Sequence, residues 1–203
     1  MPQATEEQLC TLTEIVNIGI GKAAEVLNEL LNSHIELKVP TVLVLNKDNT
    51  PAELKSLQKQ ILSCVQLGFH GSFSGKAALV FPPESAVKLV SVLMGEEFEG
   101  ADLDDVMTGT LSEVGNILIN SVIGSISNVL EDPLDFTIPN YHEGQVHDLL
   151  GINNLDSSLS ILLIRADFKV LDLHISGDIF LIFEVDSFEI LLGHLQNLFD
   201  SVE

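Results

Sequence analysis

Two short patterns in the chain place a carboxylate and a carboxamide at the same spacing. Glu14 precedes Asn17 by three residues, and Glu113 precedes Asn116 by three residues. A carboxamide both donates to and accepts from a water molecule, so it can hold that water in line with a phosphorus atom. A carboxylate can bind a lysine or arginine of another molecule. The pairs predict a site that works only when a partner supplies the remaining groups.

Neither pair is a complete catalytic centre by itself. The pairs bring no nucleophile and no histidine base, and they offer too few ligands for a metal ion. The alternative interpretation is an ordinary solvated helix face, where Glu and Asn are common. Two features favour function: the pair occurs twice, and Asn is a poor residue for a helix interior. We therefore treat Glu14, Asn17, Glu113 and Asn116 as candidate catalytic residues, with no metal or cofactor site of the chain's own.

An internal repeat contains both pairs. Residues 12–18 recur as residues 111–117, at an offset of 99, and residues 74–81 recur as residues 176–183, at an offset of 102. Matches in the same order at nearly one offset indicate a duplication. The chain is predicted to be a single domain, 1–203, with repeat halves at about 1–98 and 99–203.

Each half is predicted to have the order helix, strand, strand, strand, helix. The predicted helices cover 6–32, 83–94, 104–130 and 187–199. The predicted strands cover 35–46, 61–73, 76–82, 134–140, 158–168 and 171–184. Consecutive strands without helices between them form antiparallel pairs. The fold class is therefore α+β, in which two halves related by a pseudo-twofold axis share one largely antiparallel sheet with the long helices packed on it.

A helical wheel, drawn at about 100° per residue, places each pair nearly opposite the apolar stripe of its long helix. The pairs should therefore face solvent while the stripes face the core. The predicted stripes are Leu12, Val16, Gly19, Ala23, Leu27 and Leu30 in the first helix and Leu111, Leu118, Val122, Ile126 and Val129 in the second.

The composition limits the classes of partner. The chain has 203 residues, is 46% hydrophobic and carries a formal net charge of −21, with no Trp. Such a chain can bury a core, but it repels nucleic acid and anionic membranes and has no obvious base-stacking platform. Cys10 and Cys64 are expected to be reduced, buried thiols. Neither a signal peptide nor a membrane span is visible, so we expect a cytoplasmic location and no insertion into a membrane.

The negative charge is concentrated in the second half of the chain. Residues 1–88 hold 7 Lys or Arg and 9 Asp or Glu, a net charge of −2, whereas residues 89–203 hold 2 and 21, a net charge of −19. One interpretation is a solvated acidic face that keeps the protein in solution. The other is a surface that steers a partly basic protein partner.

The two pairs, with the prolines that follow them, resemble the signature of the CheC/CheX/FliY family of bacterial chemotaxis phosphatases. In that signature Glu-x-x-Asn is followed by 22 residues and Pro, as Asn17 is by Pro40 and Asn116 is by Pro139. The family normally has Asp or Ser four residues before the Glu. This chain departs from the pattern with Cys10 and Gly109 at that position, and with Lys22 where a small polar residue is expected.

The resemblance implies an activity and its partners. The substrate would be the phosphoaspartate of a CheY-like response regulator, with Asn17 or Asn116 orienting the attacking water and Glu14 or Glu113 pairing with a regulator lysine. The Mg²⁺ ion would belong to the regulator. A deamidase of the CheD type is a further partner that the family implies. We expect a monomer, because a doubled chain already contains its own twofold axis.

Two alternatives accompany this interpretation. The chain could be a non-catalytic adaptor that binds the regulator, or a flagellar switch component. Glycines beside the pairs, namely Gly19, Gly21 and Gly115, could let a partner approach closely, or they could pack against a neighbouring helix.

Overall fold

The computed structural model of the protein describes residues 4–31, 35–45, 60–96, 105–150, 160–170, 173–184 and 186–200. The helices in these ranges are α1 (Glu6–Leu31), α2 (Pro83–Met94), α3 (Asp105–Val129), α4 (Val146–Leu149) and α5 (Ser187–Asp200). The strands are β1 (Ile35–Leu45), β2 (Ile61–His70), β3 (Gly75–Phe81), β4 (Asp135–Phe136), β5 (Asn140–Gln145), β6 (Ser160–Val170) and β7 (Leu173–Phe183). The predicted α+β class is confirmed.

Helix α1 begins at a reciprocal cap that also ties it to the last helix. The backbone N–H of Thr5 donates to Gln8 Oε1 at 2.9 Å, and the backbone N–H of Gln8 donates to Thr5 Oγ1 at 3.2 Å. This arrangement satisfies two N–H groups at the helix start. The Gln8 Nε2 donates to the carbonyl of Leu192 in α5 at 3.1 Å, so the start of α1 is held in position.

The strands of the two halves form one antiparallel sheet. Its order is β1-β6-β7-β3-β2-β4, with β5 also paired to β2. Exchanging the first-half strands β1, β2 and β3 for the second-half strands β5, β6 and β7 gives the same order read backwards. This strand order is the one produced by a pseudo-twofold axis that passes between β3 and β7, perpendicular to the sheet.

The ladder registers repeat as well. In β1 against β6, Leu37 lies opposite Phe168 and Thr41 lies opposite Arg165, with a register shift between Lys38 and Thr41. In the other half, the residues 99 positions away pair in the same way: Phe136 faces Phe69, and Asn140 faces Gln66. Pro40 and Pro139 fall at these two interruptions, since proline cannot donate to the ladder.

Two details of the predicted strands were wrong. The strand expected over 134–140 is two strands, β4 and β5, separated at Pro139, and β5 extends to Gln145. The 102-residue offset between 74–81 and 176–183 does not match the hairpin registers. Phe69 faces Gly75 and Phe168 faces Ile175, so β3 and β7 correspond at an offset of 100.

The sheet has apolar side chains on both faces. Alternation along β3 sends Ala77, Leu79 and Phe81 to the main core with the long helices, and sends Ala78 and Val80 to a smaller cluster on the other face. Val146 and Leu150, within and just after α4, pack in that smaller cluster, and α4 was not predicted. The long helices therefore lie on one face of the sheet.

Helix α2 ends where the sequence indicates. Gly95 follows it with a left-handed φ of 68°, and its N–H donates to the carbonyl of Ser91. Among the described residues, no helix combines the length and hydropathy that crossing a membrane requires.

Candidate functional site

The first pair lies on the solvent side of α1. Glu14 and Asn17 are exposed. The opposite side of the helix forms part of the main core, with Leu12, Val16, Ala23 and Leu27 buried. The apolar period of the helix thus turns the carboxylate and the carboxamide outward, as the wheel predicts for these residues.

The second pair lies on α3 and is less open. Glu113 is exposed, but Asn116 is half-buried. The Asn120 Nδ2 donates to Asn116 Oδ1 at 2.8 Å. The Asn120 Oδ1 is buried and has no hydrogen-bond partner among the described residues. The wheel predicts the outward direction of Glu113, whereas the partial burial of Asn116 and its bond to Asn120 were missed, although the i,i+4 spacing is a signal for such a bond.

The core stripe of α3 is confirmed except at its end. Leu111, Leu118, Val122 and Ile126 are buried. Val129, at the last residue of the helix, is 36% exposed, because the helix ends there and no further turn covers it.

Helices α1 and α3 touch through a glycine. A Cβ built on Gly19 would lie 2.6 Å from the Ser121 carbonyl oxygen and 2.7 Å from Val122 Cα, distances that real Cβ atoms do not reach. A Cβ on Gly115 would lie 2.5 Å from Cγ1 of Val65 in β2. These two glycines serve internal packing. A Cβ on Gly21 meets nothing within 4 Å, so that position on the outer face is open.

The contact and the pseudo-twofold axis together place the two pairs relative to each other. An axis perpendicular to the sheet reverses directions within it, so α1 and α3 run antiparallel. At the repeat offset of 99, the axis relates the contact of Gly19 with Val122 to the positions of Ala23 and Leu118, which puts the axis near residues 21 and 120. Asn17 and Asn116 each precede that point by four residues. Because the helices run in opposite directions, the two residues lie on opposite sides of the axis and are separated by about 12 Å along the helix direction, at about 1.5 Å per residue.

The surroundings of the pairs differ in one apolar neighbour. Ile18, next to Asn17, is 50% exposed. Its counterpart Ile117 is half-buried and packs against the main core. An apolar side chain beside the first pair is therefore available for contact with a partner protein, whereas the corresponding side chain beside the second pair is mostly covered.

A polar cluster of Ser72, Asp132 and His194 does not form a catalytic arrangement. The Ser72 hydroxyl donates to the Asp132 carboxylate, and His194 Nδ1 lies 3.5 Å from the same Asp132 Oδ2. Activation of a serine nucleophile needs the histidine next to the serine, which this order does not provide. Within the ranges that the structure describes, no group of three or more His, Cys, Asp or Glu side chains could hold a metal ion.

Two family models match different parts of the chain. The model described as chemotaxis phosphatase CheX matches residues 63–157, and the model described as CheC-like family matches residues 7–44. The first range contains Glu113 and Asn116, and the second contains Glu14 and Asn17.

Two curated proteins of Bacillus subtilis strain 168 are similar in sequence. The CheY-P phosphatase CheC is 28% identical over 137 residues, which are 66% of this chain and 65% of that protein. The flagellar motor switch phosphatase FliY is 22% identical over 195 residues, which are 95% of this chain and 50% of that protein. The chain thus spans about two thirds and half of the lengths of these relatives.

Solved structures share the fold. Thermotoga maritima FliY matches with a TM-score of 0.76 and 20% identity, over 95% of this chain and 98% of that chain. A chain of the FliG–FliM complex from H. pylori matches with a TM-score of 0.69 and 14% identity, over 93% and 99%. A chain of the CheX–CheY–BeF3–Mg²⁺ complex from Borrelia burgdorferi matches with a TM-score of 0.53 and 22% identity, over 85% and 99%.

Proposed function

Because the chain belongs to the CheC/CheX/FliY family, we propose that it hydrolyses the aspartyl phosphate of a CheY-like response regulator. The observation that supports this proposal is the repetition of the Glu-x-x-Asn pair on two matching helices, with both carboxylates exposed. The curated relatives CheC and FliY are named as phosphatases, CheC as one that acts on CheY-P, and a chain of the same fold was solved in a complex of CheX with CheY.

The reaction needs little from this chain beyond positioning. The oxygen of a water molecule attacks the phosphorus, and the bond from phosphorus to the carboxylate oxygen of the regulator breaks. Both protons of the water leave with the phosphate released, and the aspartate of the regulator is left as a carboxylate. Asn17 or Asn116 holds the water in line with that bond. Glu14 or Glu113 binds a lysine beside the acyl phosphate and so holds the regulator in position. The Mg²⁺ ion that neutralises the phosphate is bound by the regulator.

The test is the rate of phosphate loss from a phosphorylated regulator, measured with wild-type protein and with the Asn17→Ala/Asn116→Ala variant. We expect wild-type protein to accelerate the loss and the double variant to lose at least about a hundredfold of that acceleration, the effect typical of removing one positioned hydrogen-bonding group from a reaction centre. The matched control is Glu29→Gln/Asn128→Ala, which changes exposed residues of the same types on the same helices outside the pairs.

A second candidate function is a non-catalytic switch component that binds the regulator. The fold shared with the FliM chain of the FliG–FliM complex favours this candidate. Unchanged or slowed phosphate loss with wild-type protein, together with binding of the regulator, would establish the adaptor and refute the phosphatase. The CheD-type partner and the monomeric state remain predictions.

A further inference from the structure

Asn120 occupies a position in the second half that has no side chain in the first. It follows Asn116 by four residues, and the residue that follows Asn17 by four is Gly21. The Asn120 Nδ2 donates to Asn116 Oδ1 at 2.8 Å. The first pair therefore lacks a bond that the second pair has, although the two helices correspond residue by residue.

The hydrogen bond limits what the Asn116 carboxamide can do. It fixes which side of the carboxamide holds the oxygen and which holds the nitrogen, since a carboxamide accepts through one end and donates through the other. A carbonyl oxygen has two lone pairs, so the bond from Asn120 leaves one of them for a water molecule. A water that attacks phosphorus must point its own lone pair at the phosphorus and direct its O–H groups to hydrogen-bond acceptors. A carboxamide oxygen already held in place is such an acceptor.

Folding does not account for Asn120. Its Oδ1 is buried without a hydrogen-bond partner among the described residues, and a buried acceptor in that state destabilises the folded protein. A buried polar atom without a hydrogen-bond partner is expected mainly at functional sites. The carboxamide it contacts belongs to the pair that the family signature marks.

We propose that Asn120 is a positioning residue of the second site, which holds the Asn116 oxygen in the orientation that accepts a hydrogen bond from the attacking water. The inference rests on the proposed phosphatase function. In the first site Gly21 leaves the Asn17 carboxamide free to rotate. The second site is then the better ordered of the two in its carboxamide, and the first is the more open.

The first experiment uses the Asn17→Ala background, in which only the second site is intact. Adding Asn120→Ala should lower kcat about fivefold, the factor that one ordinary hydrogen bond supplies, and leave KM for the regulator unchanged. Thermal unfolding should occur at the same temperature or higher, because the change removes an unsatisfied buried oxygen. Adding Asn120→Asp instead should lower kcat at least as much, because a carboxylate accepts from the Asn116 nitrogen and turns its oxygen away.

The second experiment transfers the residue to the first site. In the Asn116→Ala background, Gly21→Asn should raise kcat severalfold, and the control Gly21→Ala should not. The open space at Gly21 admits either side chain. This arm keeps the inference falsifiable if Asn120→Ala fails to fold.

The outcomes separate the two levels of the argument. Wild-type protein without phosphatase activity would overturn the proposed function. Full wild-type activity combined with unchanged kcat in Asn120→Ala or Asn120→Asp, or with a change in KM alone, would overturn only the positioning role. Equal effects of Gly21→Asn and Gly21→Ala would overturn it as well.

Discussion

The two Glu-x-x-Asn pairs share their spacing and lie on matching helices, yet the residues beside them differ in exposure or in type at two positions that a partner would meet. Beside the first pair lie the exposed Ile18 and the open Gly21. Beside the second lie Ile117, which packs on the core, and Asn120, which holds the carboxamide. The first pair is thus the more accessible to a partner, and the second is the more constrained by its neighbours.

The difference shows what duplication leaves free to change. The chain repeats the helix face and the ladder register at an offset of 99, because both are required for the shared sheet and core. The outer positions around each pair carry no such requirement. They can therefore adapt one site to contact with the partner and the other to orientation of the water, and each prediction below tests one side of that contrast.

The largest expected difference comes from blocking the first site chemically. The expected burial of both thiols was wrong for Cys10, which is exposed because it lies on the outer face of α1 one turn before Glu14. The counterpart of Cys10 in the second half is Gly109. Modification with a bulky maleimide should reduce the activity of the Asn116→Ala variant at least about tenfold, because misplacement of a partner by about 1 Å is already costly. The Asn17→Ala variant should keep its activity under the same treatment.

The reagent should distinguish the two thiols. Cys64 is buried, and burial raises its pKa to about 12 from 9.0. The raised pKa keeps Cys64 protonated and unreactive near neutral pH, since the thiolate is the nucleophile. Cys10→Ser in the Asn116→Ala background is the control, and it should be insensitive to the maleimide. Equal inactivation of both single-site variants would contradict the separation of the sites.

A smaller effect is expected from the two isoleucines. Ile18→Ser in the Asn116→Ala background should raise KM for the regulator about fivefold with little change in stability, because an exposed apolar contact to the partner is lost. Ile117→Ser in the Asn17→Ala background should instead lower the free energy of unfolding by about 1–2 kcal/mol, because that side chain packs on the core. Steady-state kinetics and denaturant unfolding measure the two effects. The same response of both variants in both assays would remove this part of the contrast.

Much of the fold could be predicted from the sequence because each half of the repeat carries the same helix and strand patterns. The apolar stripes of α1 and α3 turn Glu14 and Glu113 outward by periodicity alone, and runs of strands without intervening helices predict antiparallel pairing. The palindromic order of the sheet follows from joining two such halves about one axis.

Most of the details that were missed depend on contacts between residues that are distant in the sequence. The wheel places Gly19 in the apolar stripe, but only the packed helices show that Gly19 touches the backbone of α3 while Gly21 faces open space. Pro139 is visible in the sequence, but only its equivalence to the register shift at Pro40 explains why β4 and β5 are separate strands. The bond between Asn116 and Asn120 could have been predicted from their i,i+4 spacing. A helical wheel shows which face a residue lies on, but it does not show which side chains bond to each other.

The smallest expected difference concerns salt. The second pair lies in the half of the chain with a net charge of −19, against −2 for the first. By the antiparallel geometry, position 25 of α1 lies across from Asn116 and position 124 of α3 lies across from Asn17. Position 25 is the exposed Glu25, and position 124 is Gly124. The second pair therefore has a carboxylate across from it that the first pair lacks, and we expect this carboxylate to repel an approaching aspartyl phosphate.

Salt should weaken that repulsion, since the screening length falls to about 8 Å at physiological ionic strength. Raising the ionic strength from about 0.05 M to about 0.3 M at constant Mg²⁺ should increase kcat/KM of the Asn17→Ala variant about two- to threefold and change that of the Asn116→Ala variant less. Glu25→Gln in the Asn17→Ala background should reproduce part of the increase without added salt, with Glu7→Gln as a matched control on α1. A decrease with salt in the Asn17→Ala variant would mean that attraction to a basic part of the regulator outweighs repulsion of its phosphate, and the acidic half would then be a steering surface for a basic partner.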